Sequence, residues 1–140
     1  NYSGFSANRE QILNATVSDY KIIHLATHGL INEERPELSG IVLSRFSENR
    51  QKLDEFVRLQ DIYTMVLNAD LVVLSACETG IGKQVRGEGL MSLNNAFLQV
   101  GAKSVVSSLW KVEDNATLEL MKNFYALLAD EKITPSKALQ

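Results

Sequence analysis

Apolar positions along the chain gather into short runs separated by polar, glycine-bearing segments, and the runs alternate between two periods. Residues 71–76, Leu-Val-Val-Leu-Ser-Ala, form a nearly continuous apolar stretch, of the kind that makes a strand buried on both faces of a parallel sheet. Lys21 to Ala26 is a second such strand, and Gly40 to Ser44 and Ser104 to Leu109 are two more. Between them the spacing becomes helical. Ile12, Leu13 and Val17 predict one helix, capped by Ser6, and Leu59, Ile62 and Val66 another over residues 59–67. Leu90, Leu93, Phe97 and Val100 predict a third, closed by Gly101. Leu118, Met121, Tyr125 and Leu128 predict a fourth, capped by Asp114. Thr134-Pro135 reads as the start of a further helix, with proline at its first position. Strand and helix in alternation predict an α/β fold, a parallel sheet covered by helices.

Open α/β sheets place their sites beyond the carboxyl ends of strands, so the strand exits are where chemistry is sought. The first strand runs out into Thr27-His28-Gly29 and the 71–76 strand into Cys77-Glu78-Thr79-Gly80. Each residue has an ordinary explanation: a free cysteine is usually an inert small hydrophobe, and a histidine near a strand end is usually a hydrogen-bonded structural residue. Position at a strand end and a glycine-rich exit favour chemistry at Cys77. His28, at the loop, is then the functional histidine, and His24, inside the strand, is expected in the core.

Two other chemistries fit less well. His24 and His28 lie four apart on a strand rather than a helix, and one cysteine provides no paired thiolates, so no metal site is expected. Cys77 to Lys83 reads Cys-Glu-Thr-Gly-Ile-Gly-Lys, close to a phosphate-binding loop. There, however, Cys77 replaces the first glycine and Gln84 the magnesium-binding hydroxyl. No cofactor is expected either.

Composition narrows the setting. The 140 residues suit one domain, and a net charge of -3 argues against a nucleic-acid ligand. A single cysteine fits a reducing, cytoplasmic compartment. Neither a secretory signal nor an 18-residue apolar span is encoded, so no membrane is expected. Residues 32–38, 45–55 and 80–89 read as loops that could order on activation. The last predicted helix stops barely a turn after it starts, so residues 1–140 are expected to be part of a longer protein, truncated at both ends.

Several blocks in order resemble the C-terminal catalytic portion of a CHAT domain, the caspase-like module often attached to tetratricopeptide repeats. They are His24-Leu25-Ala26-Thr27-His28-Gly29, Pro36-Glu37-Leu38-Ser39-Gly40, Leu74-Ser75-Ala76-Cys77-Glu78-Thr79-Gly80, Gly87-Glu88-Gly89-Leu90 and Ser107-Ser108-Leu109-Trp110-Lys111-Val112-Glu113-Asp114. His28 and Cys77 are 49 positions apart (77 − 28), near the roughly 50 of caspases. The resemblance implies a three-layer α/β/α sandwich with a mostly parallel caspase-like sheet. It implies a cysteine endopeptidase acting through a Cys77–His28 dyad, with the N–H groups of Gly29 and Cys77 as the oxyanion hole. A similar Leu-Trp-x-Val-x-Asp stretch in separases makes Asp114 a candidate for recognising a basic P1 side chain, Glu88 a second, and Trp110 a pocket wall. It also implies a protein or peptide substrate, a tetratricopeptide or other regulatory region in the same chain, and latency until a partner acts. A catalytically silent signalling scaffold is the alternative reading.

Overall fold

The computed structural model describes residues 2–32, 34–75, 77–78, 88–108, 113–130 and 132–140, and for Ala15, Cys77, Glu78, Glu88 and Asp114 it describes the backbone alone. The apolar run at residues 71–76 yields strand β5 (Leu71–Leu74), buried at every position. On either side of it lie β1 (Ile22–Leu25) and β7 (Val105–Ser107), both parallel to it, in the order β1-β5-β7. Four shorter strands form a second sheet: β2 (His28–Leu30), β3 (Gly40–Val42), β4 (Phe56–Arg58) and β6 (Cys77–Glu78), ordered β4-β3-β2-β6. In it β2 and β6 are parallel, whereas β3 runs antiparallel to both β2 and β4.

The helices are α1 (Arg9–Leu13), α2 (Leu59–Ile62), α3 (Glu88–Gln99), α4 (Asp114–Leu128) and α5 (Pro135–Ala138). Alternation along β5 decides where they pack, because successive side chains point to opposite faces. Val72 and Leu74 enter one core with Ile12 of α1, Ile62 of α2 and Leu93, Ala96 and Phe97 of α3. Leu71 and Val73 enter another with Met121 and Phe124 of α4 and Ala138 of α5. Two cores on opposite faces of one parallel sheet make the α/β/α arrangement that the resemblance implies.

Gly101 closes α3 as expected. Its φ of 114° lies in the left-handed region, and a Cβ there would stand 2.1 Å from the Leu67 carbonyl oxygen. Thr134 caps α5 by accepting from the Lys137 N–H, with Pro135 at the first helical position.

Several boundaries differ from the sequence expectation. Asn8, not Ser6, caps the first helix: its Oδ1 accepts from the Gln11 N–H at 3.1 Å, while the Ser6 hydroxyl donates back to the Ser3 carbonyl in a preceding turn. The helix expected over residues 59–67 ends at Ile62, where the Thr64 hydroxyl donates to the Asp61 carbonyl and leaves Val66 77% exposed. In α4 the buried stripe runs through Met121 and Phe124, and Leu118 is exposed. Asp114 is the first residue of that helix, and Glu113 occupies the cap position. Part of the segment read as the 80–89 loop, residues 80–87, lies outside the described residues, whereas residues 88 and 89 already belong to α3.

Candidate active site

The strand registers place the two chemical residues. Ile22 pairs with Leu71 across β1 and β5, and His28 pairs with Cys77 across β2 and β6. Both pairings have the same offset of 49 residues (71 − 22 and 77 − 28). The alignment of β1 against the buried strand β5 therefore recurs between β2 and β6. It brings His28 opposite Cys77 on neighbouring strands, which lie about 4.8 Å apart. His28 is thus not on a loop: it is the first residue of β2, and it is exposed. Gly29 is buried and pairs with Ile41 on one side and Glu78 on the other.

Hydroxyl side chains hold the interruptions where ladder bonds stop. Thr27, between β1 and β2, donates its hydroxyl to the Val42 carbonyl of β3. Ser75, at the end of β5, donates its N–H to the Leu25 carbonyl at 3.1 Å, and its Oγ lies 2.5 Å from Nε2 of His24. The other ring nitrogen of His24, Nδ1, lies 3.0 Å from the Tyr125 hydroxyl of α4. His24 is therefore not a core residue. β1 is an edge strand of the three-stranded sheet, so its alternate positions Ile22 and His24 are exposed, and Tyr125 reaches over to His24 from α4. Desolvation on that side still holds the imidazole pKa below its ordinary value, and burial raises that of Tyr125.

Two of the sequence blocks with no assigned role meet behind β2. Ser39 is fully buried, and its Oγ accepts from the Asn32 N–H at 3.0 Å, two positions past Leu30. Its carbonyl accepts from the Leu59 N–H at 3.1 Å. Gly89, in the first turn of α3, lies against the same place: a Cβ would meet Ile31 Cγ2 at 2.6 Å and both Asn32 O and Ser39 Oγ at 3.1 Å. Gly40 lets β3 and β4 close up, since a Cβ there would lie 2.3 Å from the Val57 carbonyl oxygen. These residues fix the chain that leaves His28-Gly29.

Asp114 opens α4, which follows β7, the neighbour of β5; Glu88 opens α3; and Trp110 lies outside the described residues. A cleft of about 600 Å3 runs along β1, with Ile22, His24, Thr27, Leu43 and Ser44 among its lining. Thr27, one residue before His28, is where that cleft comes nearest the site along the chain.

Ser75, Tyr125, Ser39 and Gly89 are the site-supporting residues that sequence reasoning missed. Ser75 gave one signal, as a hydroxyl inside an apolar run. Tyr125 sat in a helical apolar stripe and gave none.

A parallel sheet with a helical core on each face is consistent with a caspase-like α/β fold, and His28 and Cys77 pair just beyond the ends of β1 and β5. The comparisons agree. A family model described as CHAT domain matches residues 2–140, and the chain belongs to that family, which is related to cysteine peptidases. Tetratricopeptide repeat protein 28 of Mus musculus is 37% identical over 68 residues, 49% of this chain and 3% of that protein. The chain therefore spans a small fraction of the length of this relative, which is by its name a tetratricopeptide-repeat protein. No helix among the described residues is long and apolar enough to cross a membrane.

Proposed function

We propose that the chain is the catalytic portion of a cysteine-type endopeptidase, acting through Cys77 and His28. The observation that carries this reading is the common 49-residue register, which sets His28 against Cys77 beyond the ends of β1 and β5. A free thiol with a pKa near ~8.5 is only a few per cent thiolate at neutral pH, and an adjacent imidazolium raises that fraction. The thiolate attacks the scissile carbonyl carbon and forms the carbon–sulfur bond of a tetrahedral intermediate. That intermediate collapses by breaking the carbon–nitrogen bond. His28 gives its proton to the leaving amine, a step worth typically ~10²–10⁴-fold. Neutral His28 then takes a proton from water, whose oxygen displaces the thiolate from the acyl-enzyme. The N–H groups of Gly29 and Cys77 are assigned to the oxyanion, where one donor is worth about 2.7–4 kcal/mol in a measured case.

In this reading Asp114, with Glu88 second, receives a basic P1 side chain, and Trp110 forms a wall of its pocket. The substrate is a protein or peptide. The chain's family and its tetratricopeptide-bearing relative support a regulatory repeat region in the same polypeptide, which keeps the enzyme latent in the cytoplasm until a partner acts. A peptide-library cleavage assay on the activated full-length protein tests the proposal. Cys77→Ala and His28→Ala are each expected to abolish turnover, and turnover by Cys77→Ala near the wild-type rate would overturn it. A protein that cleaves nothing under any activating condition would be a silent scaffold instead.

A further inference from the structure

Among the described residues, β2 and β6 share two register pairs, His28 with Cys77 and Gly29 with Glu78. Isolated pairs of strands are marginal in water even when much longer, and a short ladder specifies its register weakly. On the other side β2 is secured by three pairs with β3 and by the Thr27 hydroxyl on Val42. Ser75, two positions before Cys77, follows β5 directly.

Ser75 is gripped from two further elements. His24 of β1 holds its Oγ at 2.5 Å through Nε2, and Tyr125 of α4 holds Nδ1 of the same ring at 3.0 Å. The two rings lie 5.6 Å apart, and Tyr125 is itself set edge-on against Phe124, which is fully buried in the second core. The anchor of this chain of contacts is therefore α4, and its end is two positions before Cys77. Alternation explains why it forms on this face: His24 is the register partner of Val73, whose side chain packs into the α4 core.

We propose that His24 is a positioning residue: through Ser75 and Tyr125 it locks the exit of β5 to β1 and α4, so that Cys77 keeps its register against His28. The catalytic meaning of this lock rests on the Cys77–His28 reading, whereas the lock itself does not. The experiment measures amide hydrogen exchange and the alkylation rate of Cys77, the single cysteine, in the full chain. His24→Ala is expected to speed exchange at the Cys77 and Glu78 amides about tenfold, the size of one lost hydrogen bond, while β7 amides hold their protection. His24→Gln, which keeps a hydrogen-bonding group near the Nε2 position, restores most of that protection, and Tyr125→Phe loses part of it. Ile12→Ala, matched for loss of melting temperature, leaves the Cys77 and Glu78 amides as in wild type. Unchanged exchange in His24→Ala, or equal acceleration by Ile12→Ala, overturns the proposal. The alkylation rate separates the two readings. If His28→Ala leaves it unaltered, the dyad is wrong and exchange alone judges the lock; if His28→Ala lowers it, His24→Ala is expected to lower it too.

Discussion

Gly89→Ala tests whether the first turn of α3 is fitted to the chain that leaves β2. In a helix interior the exchange of glycine for alanine favours folding by about 0.8–1.0 kcal/mol, and by less in a first turn. Here the new methyl would stand 2.6 Å from Ile31 Cγ2 and 3.1 Å from Asn32 O and Ser39 Oγ. Carbon atoms rest about 3.5–4.0 Å apart, so Ile31 must retreat by about 1 Å. It has little room to do so. Ile31 is 8% exposed, its β-branched side chain is stiff, and the Asn32–Ser39 hydrogen bond holds the backbone beside it. Overpacking of this kind costs about 1–3 kcal/mol, which outweighs the propensity gain and leaves a net loss of about 1–2 kcal/mol. Urea unfolding followed by far-ultraviolet circular dichroism measures it, and the melting temperature should fall by about 3–5 °C per kcal/mol in a chain of this size. Ile31→Ala removes the methyl that is struck, so in that background Gly89→Ala should become neutral or stabilising. A stabilising Gly89→Ala in the wild-type chain, or an equal loss in both backgrounds, would refute the packing argument.

Two further outcomes follow from the same geometry and from the charges. Gly101→Ala should destabilise more than Gly89→Ala, by about 2–4 kcal/mol, because φ is 114° and the methyl strikes the Leu67 backbone oxygen at 2.1 Å; equilibrium unfolding checks it. The folded state disfavours the proton on His24, so the unfolded chain binds more protons there. The stability due to the neutral ring is full above the unfolded value of 6.5 and is lost as pH falls below it towards the lower folded pKa. His24→Gln should therefore flatten the stability profile just below pH 6.5. Asp54, Asp70 and Glu37, whose carboxyl pKa values are held low by a backbone N–H, by Lys103 and by a backbone N–H respectively, lose their contribution only as pH falls through the carboxylate range. An unchanged slope in His24→Gln would show that the ring is not desolvated.

The sequence disclosed most where burial is two-sided. β5 reads as apolar at every position because α3 covers one face and α4 the other. The α3 stripe with Gly101 behind it was legible because one helical face is buried at Leu90, Leu93 and Phe97 while Met91 and Leu98 stay exposed. Strands of two or three residues, such as β2, β6 and β4, contain at most one full period, too little for a pattern to stand out, so they emerge only from pairing. His24 was misread because Ile22-Ile23-His24-Leu25 resembles a strand covered on both sides, whereas β1 lies at a sheet edge. His28 and Cys77 stood out by chemistry and by strand position. What holds them in register did not, because it depends on contacts between Ser75, His24 and Tyr125 across as many as 101 positions of sequence.

The measurement that bears most directly on the dyad is the pH profile of Cys77 alkylation by iodoacetamide in wild type and in His28→Ala. The chain has one cysteine, so the rate reports that thiol alone. The account predicts that wild-type reactivity rises through an apparent pKa well below the ~8.5 of a free thiol, and that His28→Ala returns it to about that value. Superimposable profiles for the two proteins would contradict it.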